Sequence, residues 1–294
     1  YFDDPVHEIL GLKDNFFQSL YHFTVGGSVE DKRLTTHASY SWSCENPAGR
    51  YSSRRGRSEA YSLGEKVKQL PEQAVVDFEG KSIARIGAGL QGFFRNLKQG
   101  TQALRHLIKG PINLLEVAPD ETDGADEILL GGVLNDILEQ DQIDPARIFI
   151  VCQAGMIGGW NGRMVDGMKS RGIPFHEIET LDLAWRWCIH PDFLKDQMSR
   201  SIHRTGLGAI DLFLVRIPIK VVELLGKGQC LDRIRSAFRF LQSQVDSGRI
   251  QAFGLVSQAL TLPEDNSRAL SLASLLDQDF PGFKAIAFHG NFVD

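Results

Sequence analysis

Six short, nearly unbroken apolar runs punctuate the chain from residue 83 onward, and stretches of helical spacing separate them. The runs are 83–89 (IARIGAG), 112–118 (INLLEVA), 147–154 (RIFIVCQA), 210–218 (IDLFLVRIP), 250–257 (IQAFGLVS) and 283–289 (FKAIAFH). A half-solvated antiparallel strand alternates apolar and polar residues. A strand covered on both faces does not, so these runs read as buried parallel strands. Between them, 124–138 carries Ile128, Leu129, Val133, Leu134, Ile137 and Leu138 at helical spacing, after a candidate N-cap at Asp123. Residues 231–245 place Leu231, Ile234, Phe238, Leu241 and Val245 on one stripe, with Gly248 as the stop. Strands and helices alternating in this way specify an α/β fold with a parallel sheet. Residues 155–208 exceed what one crossover needs, so they hold an insertion ahead of their helix.

Residues 1–79 have a different texture and form an irregular N-terminal extension to the 80–294 region. Residues 6–23 can make a short amphipathic helix from Ile9, Leu10, Phe16, Phe17, Leu20 and Tyr21. Residues 35–62 have little apolar periodicity and many Ser, Arg and aromatic residues. Two readings stay open for them. One is a solvated, flexible segment. The other is a protein-docking strip with Tyr40, Trp42, Tyr51 and Tyr61 as anchors among Arg50, Arg54 and Arg55, since Tyr, Trp and Arg are enriched at interface hot spots. Nucleic acid is a weaker option, because 37 acidic against 32 basic residues give a net charge of -5.

The hydrophobic fraction of 43% supplies a core and excludes a chain disordered throughout. No apolar run reaches the length that spans a bilayer. The four cysteines, at 44, 152, 188 and 230, make no C-x-x-C pair, which fits a reducing intracellular compartment better than a disulfide scaffold or a structural zinc site. The start at Tyr1-Phe2-Asp3-Asp4 resembles neither a signal peptide nor an Arg-rich transit peptide. Mitochondrial or plastid residence after presequence removal is one expectation from this start, and the cytoplasm the other.

Four fragments in order resemble the aldo-keto reductase superfamily: Gly124-x-x-Glu127-x-x-Leu130-Gly131-x-x-Leu134, the strand at 210–215, the 248–257 stretch GRIQAFGLVS, and the 188–194 run CIHPDFL followed by Gln197 and Ser201. The resemblance covers roughly residues 80–294 and implies a TIM-type (β/α) barrel that binds NADPH at the C-terminal ends of its strands. It also implies hydride transfer to a carbonyl, with a tyrosine as proton donor, a lysine and an aspartate tuning it, and a histidine orienting the substrate.

Matched position by position, the family's aspartate falls on Glu116, its tyrosine on Asp120 or Glu121, its lysine on Gln153 and its histidine on Arg216. All five tyrosines lie at or before Tyr61, so no register of the barrel region supplies the phenol. Arg216 is permanently protonated and Gln153 carries no charge, so neither replaces the group it displaces. For the cofactor, Ser257 and Gln258 half-match a Ser-Asn pair, and Asn291 matches a later asparagine. With about six strand signals the barrel is expected to be incomplete, leaving two sheet edges for a partner subunit or the N-terminal arm to cover. Glu116, Asp211 and Arg216 are expected to form a buried ion-pair group at the mouth.

Three sharper motif readings are weaker. The acidic run 119–124 (PDETDG) fails the EF-hand template and reads as a solvated loop capping the next helix. Gly87, Gly89 and Gly92 fit a dinucleotide fingerprint but are better explained as a strand's exit turn. His106, His176, His190 and His203 show no zincin spacing, and Trp185, Trp187 and Cys188 are expected to pack within the insertion. The sequence thus points to a non-catalytic, aldo-keto-reductase-like structural or interaction subunit with no cofactor. An oxidoreductase using NADPH with Glu116 or Glu121 as unusual proton donor is the alternative, and an NADPH-binding sensor a third.

Overall fold

The structure is a computed structural model and describes residues 74–140, 147–172, 175–275 and 279–288. The docking strip Tyr40, Trp42, Arg50, Tyr51, Arg54, Arg55 and Tyr61 lies outside the described residues, as does Asn291.

Five of the six apolar runs form the expected strands. These are β4 (Leu114–Val117), β5 (Phe149–Ala154), β9 (Ile210–Arg216), β10 (Ile250–Val256) and β11 (Phe283–Ala287). The first run is divided. Its Ile83 and Ala84 belong to β2 (Lys81–Ala84), which pairs antiparallel with β1 (Val75–Phe78), and only β3 (Ala88–Gly89) joins the main sheet. Glu79 and Gly80, both at positive φ, make the tight turn between β1 and β2, a conformation matched to the twist of a hairpin.

The main sheet has six parallel strands whose spatial order follows the sequence, β3-β4-β5-β9-β10-β11. It is not closed among the described residues, and β3 and β11 are its edges. Each crossover carries helix onto one face: α1 (Leu97–Lys109), the short α2 (Pro119–Thr122), α3 (Ala125–Gln140), α4 (Gly159–Ser170), α5 (Pro191–Thr205), α6 (Ile219–Asp246) and the short α7 (Leu272–Leu275). The backbone of α6 breaks at Gly226, where φ is 73° and ψ 159°. Beyond the break, Ile234, Phe238 and Leu241 of the expected stripe are fully buried, and Gly248 at φ 73° ends the segment. No helix among the described residues is long and apolar enough to cross a membrane.

Because side chains alternate along a strand, the sheet sorts its residues onto two faces. Ile150, Cys152 and Ala154 of β5, with Phe213 and Val215 of β9, join the main core beneath the helices. Phe149, Val151, Leu212 and Leu214 point the other way and form a second cluster with Ala252, Val256 and Ile83 of the hairpin. The hairpin lies over the N-terminal ends of the strands. Phe78 meets Phe149 edge-on at 5.2 Å between ring centroids, and Lys81 Nζ sits 2.6 Å from Asp211.

The insertion between β5 and α5 is a small sheet, β6 (Met156–Ile157), β8 (Arg186–Trp187) and β7 (Glu179–Thr180) in that spatial order, wrapped around α4. Trp187 and Cys188 pack inside it as expected, both fully buried. Trp187 also reaches beyond it, donating its indole N–H to the Arg216 carbonyl at 2.8 Å.

Candidate functional site

At the C-terminal ends of β4, β5 and β9 the structure brings together Glu116 with Gln153 and Asp120 with Arg216. Gln153 donates its amide N–H to the Glu116 carboxylate across the β4–β5 pairing. Arg216, the last residue of β9, donates Nη1 to Asp120 Oδ2 at 3.1 Å. Asp120 lies on α2, which starts two residues after β4 with Pro119 at its head, so the chain turns the aspartate straight back over the strand ends. Asp120 is 4% exposed and Gln153 7%, so both are committed to the protein interior. The side chain of Glu121 lies outside the described residues.

The chemistry follows from these partners. A guanidinium stays protonated, and here it is held by a carboxylate, so it does not deliver a proton at neutral pH. A neutral amide bonded to a carboxylate supplies no positive charge to lower a neighbour's pKa. Among the described residues the mouth therefore holds a fixed ion pair and a fixed hydrogen bond.

Asp211 corrects the expected ion-pair group at the mouth. It is the second residue of β9, five residues before Arg216, or roughly 16 Å along a strand. Its fully buried carboxylate accepts from Lys81 Nζ at 2.6 Å and from the Ile150 amide at 2.8 Å, fastening the hairpin to the N-terminal ends of the strands. The missing signal was Lys81, whose partner lies 130 residues away.

Of the remnant cofactor positions, Ser257 is already bonded within the protein. Ser257 is 3% exposed, donates to the Ile217 carbonyl at 2.7 Å and accepts from the Ala259 amide at 3.1 Å. Its hydroxyl is thus used to end β10 and start the 3₁₀ turn at Gln258–Thr261. Gln258 is exposed on that turn. The dinucleotide fingerprint is likewise unsupported. Gly92, at φ 104°, leads into a 3₁₀ turn at Phe93–Asn96, and α1 begins only at Leu97, capped by the Asn96 side chain.

The Gly124–Leu134 motif has a packing role. A Cβ on Gly131 would stand 2.3 Å from the Arg204 carbonyl oxygen, and one on Gly124 2.6 Å from Arg204 Nε, so glycine at both positions lets α5 lie against α3. Glu127, fully buried, forms an ion pair with Arg204 at this contact. Burial pushes its carboxyl up to about 7 against the pull of Arg204. The preceding Asp126, also raised by burial, accepts from Thr122 and from the Ala118 amide. These bonds correct the solvated-loop reading of 119–124: Asp120 and Thr122 are buried, and α3 starts at Ala125 after Asp123 and Gly124 at positive φ.

Cys152, Cys188 and Cys230 are buried free thiols. Burial pushes Cys188 and Cys230 up to about 12, so neither is a nucleophile at neutral pH. No group of three or more His, Cys, Asp or Glu placed to hold a metal occurs among the described residues.

No family model matches the chain. No curated protein matches it. Solved structures similar to it include an aldo-keto reductase from Bacillus halodurans in its holo form, at 16% identity and a TM-score of 0.44, covering 61% of this chain and 48% of that one. A glycerol dehydrogenase from Gluconobacter oxydans follows at 15% identity and a TM-score of 0.42, covering 64% and 49%. An aldo-keto reductase from Bombyx mori in complex with NADP has 12% identity and a TM-score of 0.40, covering 62% and 50%. The chain spans about half the length of each.

Proposed function

We propose that this chain is a non-catalytic protein of aldo-keto-reductase-like fold that serves as a structural or interaction subunit. The observation that carries the reading is the occupation of the mouth. Asp120 pairs with Arg216 and Glu116 with Gln153, at positions that the resemblance assigns to the tetrad, and no tyrosine follows Tyr61 in the sequence. Binding would run through Tyr40, Trp42, Arg50, Tyr51, Arg54, Arg55 and Tyr61, residue types suited to interface anchoring.

Titration of the full chain with NADPH, followed by fluorescence, and an assay with a simple aldehyde test the catalytic half. No saturable binding and no turnover are expected. NADPH-dependent reduction abolished by Glu121→Gln would overturn the reading in favour of an enzyme, and saturable binding without turnover would replace it with a sensor. The interaction half is tested by alanine at Tyr40, Trp42, Tyr51 and Tyr61. Sedimentation in cell extract should show a smaller assembly with the melting temperature unchanged, and an unaltered assembly would refute the strip.

A further inference from the structure

Asp126 and Glu127, consecutive on α3, are both fully buried and face different neighbours. Asp126 turns toward α2, accepting from the Ala118 amide at 3.0 Å and from the Thr122 hydroxyl. Glu127 turns toward α5 and pairs with Arg204. With both acids ionised, two carboxylates would share one guanidinium and leave a negative charge in the interior. That state is costly enough for a buried acid to take up a proton instead.

The other groups packed here do not cancel the charge. From β5 comes the Cys152 thiol, which burial and then the two carboxylates push well above its ordinary value, so it stays neutral. Asp211 of β9, which also acts on this thiol, is spent on Lys81. From α1, Arg105 pairs with Asp136, further along α3, at 2.7 Å. The remaining group is Ser201 of α5, also fully buried. Its hydroxyl acts on Glu127, favouring the ionised carboxyl, yet neither Ser201 Oγ nor Glu127 Oε1 completes a hydrogen bond in this arrangement. A hydroxyl both donates and accepts. By turning its O–H, Ser201 can donate to an ionised Oε1 or accept from a protonated one.

We infer that Asp126 and Glu127 form a one-proton switch, with Ser201 as its reversible partner, whose proton release loosens the seat of α5 on α3 and the turn that carries Asp120. The proton belongs to the pair rather than to either acid. Water that solvates the released charge enters beside Arg204, whose side chain is 19% exposed. Asp126 passes the change to α2, because its bonds to Ala118 and Thr122 hold that helix, and Asp120 with it, over the strand ends. None of this depends on whether the mouth turns over a substrate.

Carboxyl-carbon NMR of the full chain, assigned with Asp126→Asn and Glu127→Gln, tests the proton site. One carboxyl of the pair is expected to titrate within about one pH unit of 7. Ser201→Ala should move that midpoint upward, since it removes a contact that favours the ionised form. Both acids staying ionised from about pH 5 to 8, or a midpoint indifferent to Ser201→Ala, would overturn the inference. Amide exchange at about pH 5.5 and 8, corrected for the intrinsic rate, tests the loosening. Protection in Pro119–Thr122 and Pro191–Thr205 should fall about tenfold further than in Ile210–Arg216, and Glu127→Gln should remove the difference. An equal change in all three segments of the wild type would overturn the switch, whether or not the variants fold.

Discussion

Glu127 and Arg204 meet across the contact of α3 and α5, with the carboxylate fully buried and the guanidinium side chain 19% exposed. Burial outweighs the attraction of the arginine, so the acid titrates near neutrality rather than in the usual carboxylate range.

Stability should therefore fall as the pH rises. The folded-state pKa of Glu127, about 7, lies above its ordinary 4.5, so its stabilising contribution is complete below about 4.5 and lost as the pH passes through about 7. The span corresponds to roughly 3 kcal/mol. Asp126, shifted in the same direction, adds to the trend. Glu127→Gln should flatten the melting temperature between pH 5 and 8, and a variant that keeps the full wild-type slope would exclude Glu127 as its source.

The notch under Arg204 gives a packing test. A methyl group on Gly131 meets backbone rather than a movable side-chain end, so α5 must shift to admit it. Gly131→Ala should cost about 1–3 kcal/mol despite alanine's better helix propensity. Gly132, where an added Cβ would meet nothing within 4 Å, is the control, and alanine there should be neutral or stabilising by a few tenths of a kcal/mol.

At the mouth, Arg216→Ala should leave Asp120 buried beside a lost cation, at a cost of about 3 kcal/mol. Replacing both partners with apolar residues should recover part of that loss, read as a coupling energy in a double-mutant cycle. An unchanged melting temperature in the single variant would show that the pair does not support the fold.

Lys81→Met should cost a similar about 3 kcal/mol, because it strands the fully buried Asp211. Its effect should also be local. Amide exchange should accelerate first in Val75–Phe78 and Lys81–Ala84, and uniform acceleration over the whole sheet would contradict a separately fastened hairpin.

The parallel sheet is legible in the sequence because burial on both faces writes itself as continuous apolar runs. The ends of β4, β5 and β9 follow, and with them the placement of Glu116, Gln153 and Arg216. The hairpin is hidden because Ile83 and Ala84 are apolar for the same reason as strand residues, yet Ile83 joins the inner cluster from the hairpin. Asp211 is misplaced by the sequence because an acid inside an apolar run gives no sign of which strand end its partner occupies. The near-neutral titration of Glu127 is likewise invisible there, since it arises from burial that only tertiary packing supplies, against the pull of an Arg204 that is 77 residues distant.

The Lys81–Asp211 fastening also sets an order of events. Of the described elements the hairpin emerges from the ribosome first, but its ammonium must wait for an aspartate 130 residues further on. At about 5–20 residues per second that delay is on the order of ten seconds. The Lys284–Glu79 pair must wait longer still. The earliest-made strand pair of the described fold is thus among the last to be fastened by its ion pairs.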